Sequence, residues 1–215
     1  MQAAIAIADQ DGLAGVSMRN VAAALKAGPM RLYPYISTKD VLLDLMVDAL
    51  YAELQSQGPL PREWRKAMWV NAQRLRELTQ RHPWFLSLMG GRPHQGPHAL
   101  EYLEALLAVL DQSGDFANMD AVMQALKTIQ AYTIGGLHTE VSELRDERES
   151  GLSKSDWQAA TAGHLFRMIE TGRLPTIAKV VADASHPPAG VTFFDGLECV
   201  LDGVANRIGD ARTGR

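Results

Sequence analysis

A single cysteine, Cys199, is all that the 215 residues contain, so neither an internal disulfide framework nor a Cys-x-x-Cys metal or redox pair can form. A structural, inert thiol is expected there. No stretch of about 18 uninterrupted apolar residues occurs, and no membrane span is expected. The opening MQAAIAIADQDG has neither the basic flank nor the cleavage pattern of a signal peptide, which points to the cytoplasm. Strand-like alternation of apolar and polar residues is scarce, and there is no internal repeat or low-complexity tract. Also missing are a Gly-rich phosphate loop, a Gly-x-Ser-x-Gly elbow and a compact acid and base pair. The six histidines, His82, His94, His98, His138, His164 and His186, include no His-Glu-x-x-His. Only His94 and His98 share a ligand-like spacing, across a Pro/Gly loop. No metal and no cofactor are expected.

Acid is missing from one place in particular. Residues 12 to 39 contain Arg19, Lys26, Arg31 and Lys39 and no aspartate or glutamate, within a chain of net charge -4. A sequence pI near 5.9 excludes a protein that coats nucleic acid over its whole surface, yet a local positive field survives in this segment.

What is abundant is apolar spacing of three and four residues, the pattern of amphipathic helices, and 47% hydrophobic content suffices for a buried core. The fold class is therefore all-α. A first helix over residues 1 to 11 stops at Gly12. Ser17 caps a second through Leu25, with Met18, Val21, Ala22 and Leu25 facing inward. Lys26-Ala27-Gly28 breaks it, and Pro29 opens a short helix that Pro34 must end. Ser37 and Thr38 cap a longer one to about Gln55, with Val41, Leu42, Leu45 and Ala49 on its inner side. Composition then shifts from small apolar residues to Trp64, Met68, Trp69, Trp84, Phe85 and Met89. A boundary near residue 55 follows, separating residues 1–55 from residues 56–215. Further helices are expected over 61 to 81, 83 to 89, 98 to 113, 119 to 149, 153 to 172, 175 to 185 and 193 to 208. GGRPHQGPH at 90 to 98 and HPPAG at 186 to 190 are the clear breaks.

A helix, a tight turn and a short second helix are what a helix-turn-helix needs to project side chains into the major groove. Many all-α domains contain such a corner, and the acid-free charge decides for DNA. The starts at Ser17, Pro29 and Thr38 offer amide hydrogens to phosphates. Tyr33, Tyr35 and Lys39 are assigned to the DNA backbone, Arg31 to base edges, and Arg19 and Met30 complete the candidate DNA-binding set.

The order SMRNVAAALKAGPMRLYPYISTKDVLLDLM resembles the DNA-binding domain of the TetR family of transcriptional regulators. Ser17, Arg19, Leu32-Tyr33 and Lys39 occupy the places of that family's capped helix, recognition-helix end and connecting-helix start. HPWFLSLMGGRP and FFDGLECVLDGVANRI are similar to the tetracycline-repressor-like regulatory domain, so the resemblance spans nearly the whole chain. Two departures stand out. Lys26 replaces the usual turn glycine and Gly28 the usual cap serine, so a tilted turn with shifted base contacts is expected. The sequence shows no basic arm before the first helix, which implies either less reliance on the minor groove or a natural start further upstream.

The resemblance implies an N-terminal three-helix DNA-binding domain followed by a larger helical ligand-binding and dimerisation domain. It implies a homodimer on a palindromic double-stranded DNA operator, released by a small-molecule inducer. Phe193, Leu197, Val200, Leu201, Val204 and Ile208 form one stripe, which suits either a dimer seam or a core helix; the resemblance favours the seam. The long helix over 119 to 149, interrupted by Gly135-Gly136, is its expected second wall. Trp69, Trp84, Met89, Tyr102, Met123 and Tyr132 are candidates to line an apolar ligand cavity. The alternatives are a helical small-molecule-processing enzyme and a dimer used only for protein interaction.

Overall fold

The computed structural model describes residues 1–91, 94–185 and 187–213, the last four by backbone alone. Two loop positions in 90–98 and His186 therefore lie outside the described residues. Among those described there are helices and turns and no strand. The chain opens with α1 (Gln2–Gly15), α2 (Met18–Ala24), a 3₁₀ turn at Pro29–Arg31 and α3 (Lys39–Ser56). Local signals set these limits. Gly12 sits at φ 68 and kinks α1, and the Ser17 and Thr38 side chains accept from Asn20 N (3.1 Å) and Val41 N (3.2 Å).

The larger part comprises α4 (Trp64–Arg81), a 3₁₀ turn at Pro83–Leu88, α5 (Pro97–Gln112), α6 (Met119–Ser150), α7 (Lys154–Glu170), α8 (Pro175–Asp183) and α9 (Ala189–Thr213). α4 begins three residues later than its sequence suggests, because the Glu63 carboxylate caps it by accepting from Arg65 N and Lys66 N, both at 2.8 Å. α9 begins four residues earlier than expected, and residues 83 to 88 wind as 3₁₀. The paired glycines do not interrupt α6: the helix runs through them, and Gly136 makes room for Phe193, whose Cδ2 would lie 2.8 Å from an added Cβ.

One apolar cluster runs from Ala4 and Ala8 through α3, α4 and α5 to Leu197 and Val204. α3 turns Leu42, Met46, Val47, Leu50 and Leu54 inward. The expected inner stripe was rotated: Val41 and Leu45 are exposed, and so is Leu25 on α2. Cys199 is exposed on α9 rather than buried in the core. α6 packs antiparallel on α9, with Tyr132 OH donating to Phe193 O at 2.9 Å. Between them the chain makes a detour, the α7–α8 hairpin, in which neither helix has a buried residue. Trp157, Phe166, Ile177 and Val180 stand exposed there.

Candidate nucleic-acid interface and ligand site

The face suited to DNA grows from the turn after α2. Leu32 and Ile36 pack against the core, and the amides of Tyr35 and Ile36 both donate to Leu32 O at 2.9 Å. Anchored on one side, this segment turns its other residues out: Met30 is 77% and Tyr35 82% exposed, and Pro29, Arg31 and Tyr33 are exposed with them. Arg19 and Thr38 are exposed and Ser17 half-buried, so the nine candidate residues all reach the surface of this small domain. The segment expected to enter the groove is a three-residue 3₁₀ turn flanked by further turns, shorter than the helix expected, because Pro34 withholds an amide.

Charge distinguishes this face. None of Arg19, Lys26 and Arg31 enters an ion pair among the described residues. Lys39 donates to Leu13 O at 3.0 Å, closing the end of α1; its ammonium has two further donors to give. The tight turn holds a feature the spacing did not reveal. Ala27 N donates to Ala22 O (2.9 Å) and Lys26 N to Ala23 O (3.0 Å), the paired closure of a Schellman motif. Lys26 takes the left-handed conformation at φ 52 that this closure demands, at a cost of about 1 kcal/mol relative to glycine.

In the larger domain a cavity of about 30 Å³ lies among α3, α4, α5 and α6, bordered by Tyr51, Met68, Asn71, Met89, Tyr102 and Thr133. Its polar side is built from neutral groups. Tyr102 OH donates to Asn71 Oδ1 at 2.7 Å, and Thr133 Oγ1 donates to Ile129 O at 2.8 Å. Burial pushes the Tyr51 phenol up to about 12 and raises Tyr102 as well, so neither ionises near neutral pH. The rings of Tyr51 and Tyr102 are 4.9 Å apart, with Phe85 edge-on to Tyr51 at 5.5 Å.

Of the six residues expected to line a ligand cavity, Met89 and Tyr102 border this void. Four do not border this one, for reasons of helix face. Met68, Asn71 and Leu75 share the inner face of α4, whereas Trp69 is rotated by about 100° and stacks on Phe194 at 4.8 Å. Tyr132 likewise stacks on Phe193. Trp84 is buried elsewhere, its Nε1 donating to Asp9 Oδ1 at 2.7 Å. Met123 sits one turn before Leu126, half-buried. Tyr51, Asn71 and Thr133 were missed because a lone polar residue on an amphipathic helix carries no signal of what faces it.

Beside the cavity, α3 is fastened to α5. Buried Asp48 accepts from Ala99 N at 2.9 Å, and Gln55 Nε2 donates to His98 O at 3.0 Å. Gly96 permits the approach, since a Cβ there would collide with the Asp48 carboxylate.

The α9 stripe divides. Leu197 and Leu201 are 0% exposed within one chain, and Phe193 and Val204 are buried with them, so these four are core of the protomer itself. Val200 and Ile208 are half-buried and, with the edge of Val204, border a groove of about 780 Å³ between α6 and α9 that also includes Phe116 and Ala121. The histidines are separately engaged: His82 Nδ1 with Asp9 Oδ1 at 2.7 Å and His94 Nε2 with Leu88 O at 3.0 Å. Among the described residues no group of three His, Cys, Asp or Glu is placed to hold a metal ion. No helix among them is long and apolar enough to cross a membrane.

A family model described as the tetracyclin repressor-like C-terminal domain matches residues 58–208. The chain is 33% identical over 216 residues to the HTH-type transcriptional repressor DrrR1 of Streptomyces coeruleorubidus, covering 98% of this chain and 79% of that protein. It is 28% identical to the class A tetracycline repressor protein from transposon 1721 of Escherichia coli, covering 96% and 89%. In fold it resembles apo ActR of Streptomyces coelicolor, with a TM-score of 0.80 at 22% identity, covering 98% of this chain and 94% of that one. The complex of ActR with actinorhodin superposes with a TM-score of 0.77 at 21% identity, covering 98% and 95%.

Proposed function

The chain belongs to the TetR family of transcriptional regulators, and from that premise we propose a ligand-responsive repressor that holds a palindromic operator as a cytoplasmic homodimer. Residues 1–55 form the DNA-binding head with its connecting helix, and residues 56–215 the ligand-binding and dimerisation domain. The observation that carries the reading is the cluster of unpaired cations around an exposed aromatic turn. Arg19 and Arg31 reach base edges, with Pro29, Met30, Tyr33 and Tyr35 against the groove and backbone. Ser17, Thr38 and Lys39 hold phosphates. The enzyme and interaction-only alternatives are set aside, because the two curated relatives described above are both repressors.

A void of about 30 Å³ is far smaller than the several hundred Å³ that a small-molecule site needs. A ligand must therefore enlarge it by moving Tyr51, Met89 or Tyr102. Tyr51 lies on α3, the helix that Asp48 and Gln55 fasten to α5, so enlargement shifts the connecting helix and with it the head. In the dimer, the recognition turns must lie about one DNA turn, roughly 34 Å, apart. A small apolar or amphipathic inducer that binds better to the enlarged form shifts the population away from that spacing. The second copy seats on the α6–α9 groove, against Val200 and Ile208.

The test is a mobility shift on the upstream promoter fragment of the chain's own gene, run over a salt series and against a panel of uncharged aromatic compounds. Binding should weaken steeply with salt. A compound that raises Tm should release the DNA at the same concentrations. Salt-independent binding would sink the DNA reading, and stabilisation without release would sever the cavity from the head.

A further inference from the structure

Three helix ends of this chain share one device, and a fourth repeats it with a different residue. α3, α5 and α7 each finish with a capping residue followed by glycine at positive φ: Gly58 at 91, Gly114 at 69 and Gly172 at 72. α2 finishes in the same way, with Leu25 and then a left-handed residue, but that residue is Lys26. It is the one non-glycine residue with positive φ among those described. The position is solvent-exposed, and the chain places no acidic residue between 12 and 39. Nothing in the fold needs the lysine side chain, since the closure of the motif is made by backbone amides alone.

We infer that Lys26 is a contact to DNA phosphate, retained in a strained backbone position for its charge, an inference that rests on the repressor reading above. The residue lies three positions before Pro29, between the C-terminus of α2 and the exposed turn assigned to the groove. A residue there flanks the inserted segment, where the sugar-phosphate chain borders the groove. Glycine would relieve the backbone and remove the charge, so stability and DNA binding move in opposite directions.

The experiment uses the full chain and duplexes that it selects from a random DNA library, with binding measured over a salt series. Lys26→Gly should raise Tm by about 2 to 4 °C. The same variant should weaken binding several-fold and reduce the slope of log K against log salt by about 1.8 for the dimer, one phosphate equivalent per protomer. Lys26→Arg, which keeps the charge, should bind with the parent slope. A glycine variant with unchanged slope overturns the inference while leaving the repressor reading intact. An arginine variant as weak as the glycine one overturns it too, by showing that turn geometry rather than charge was lost. If the parent recovers no duplex, the repressor reading fails and this inference with it.

Discussion

The head and the body use the same cationic residues in opposite ways. In the body Arg76 clasps buried Glu140 through both Nε (2.8 Å) and Nη2 (2.6 Å), Gln80 adds a third donor, and Arg65 and Arg81 are paired with Glu198, Asp202 and Glu53. In the head Arg19, Lys26 and Arg31 find no acid and stay in water. A guanidinium becomes structural where the chain supplies it with acceptors: carboxylates for Arg76, Arg65 and Arg81, and the carbonyls of Gly58 (2.7 Å) and Gln57 (3.0 Å) for Arg74. Removing acid from a surface is therefore as informative as adding base, because it leaves the charge available to something outside the molecule.

Exchanging single residues between the two situations tests the contrast. The largest effect is expected from Arg76→Ala, which strands the carboxylate of Glu140 in a buried setting and should cost about 3 to 5 kcal/mol of stability. Thermal melting should register it, while the salt slope of DNA binding measured below the melting range stays at the parent value. A smaller effect of the opposite kind is expected from Arg31→Ala. It should leave Tm unchanged and weaken operator binding by about 1 to 3 kcal/mol per half-site if the side chain reads a base bidentately; a titration with equal loss on all sequences would reassign it to phosphate. Least of all should come from Lys154→Ala. Its 2.7 Å pair with Glu143 is half-exposed, and such pairs contribute about 0.2 to 1 kcal/mol. A loss comparable with that of Arg76 would mean that exposure, rather than burial of the partner, had been misjudged as the deciding factor.

How far the sequence leads can be seen in individual residues. Ser17, Thr38 and Gly12 could be placed because caps and breaks act on amides two or three residues away, and nothing distant is needed to recognise them. The all-helical class and the acid-free segment were legible for the same reason. What failed depended on partners remote in sequence. Asp48 reads as an exposed acid until Ala99, 51 residues on, donates to it. Met68 and Trp69 are equally plausible cavity residues until α5 is known to lie on one side of α4 and α9 on the other. Leu197 and Leu201 fit a seam between two chains as well as a core within one, since both demand the same stripe. Lys26 was visible as a substitution for glycine, but only the backbone shows that it accepts the glycine conformation.

The α7–α8 hairpin has a kinetic meaning beyond its shape. With no buried residue on either helix within the protomer, opening it there exposes almost no core, so its amides can exchange with solvent without waiting for global unfolding. α6, continuous from Met119 to Ser150, then has two exchange regimes along one axis. The turns up to Glu140, held by Arg76, Tyr132 and Phe193, exchange with the core. Those beyond it, from Ser142 onward, exchange with the hairpin, and the first protease cut in the native protein should fall on that side of Glu140.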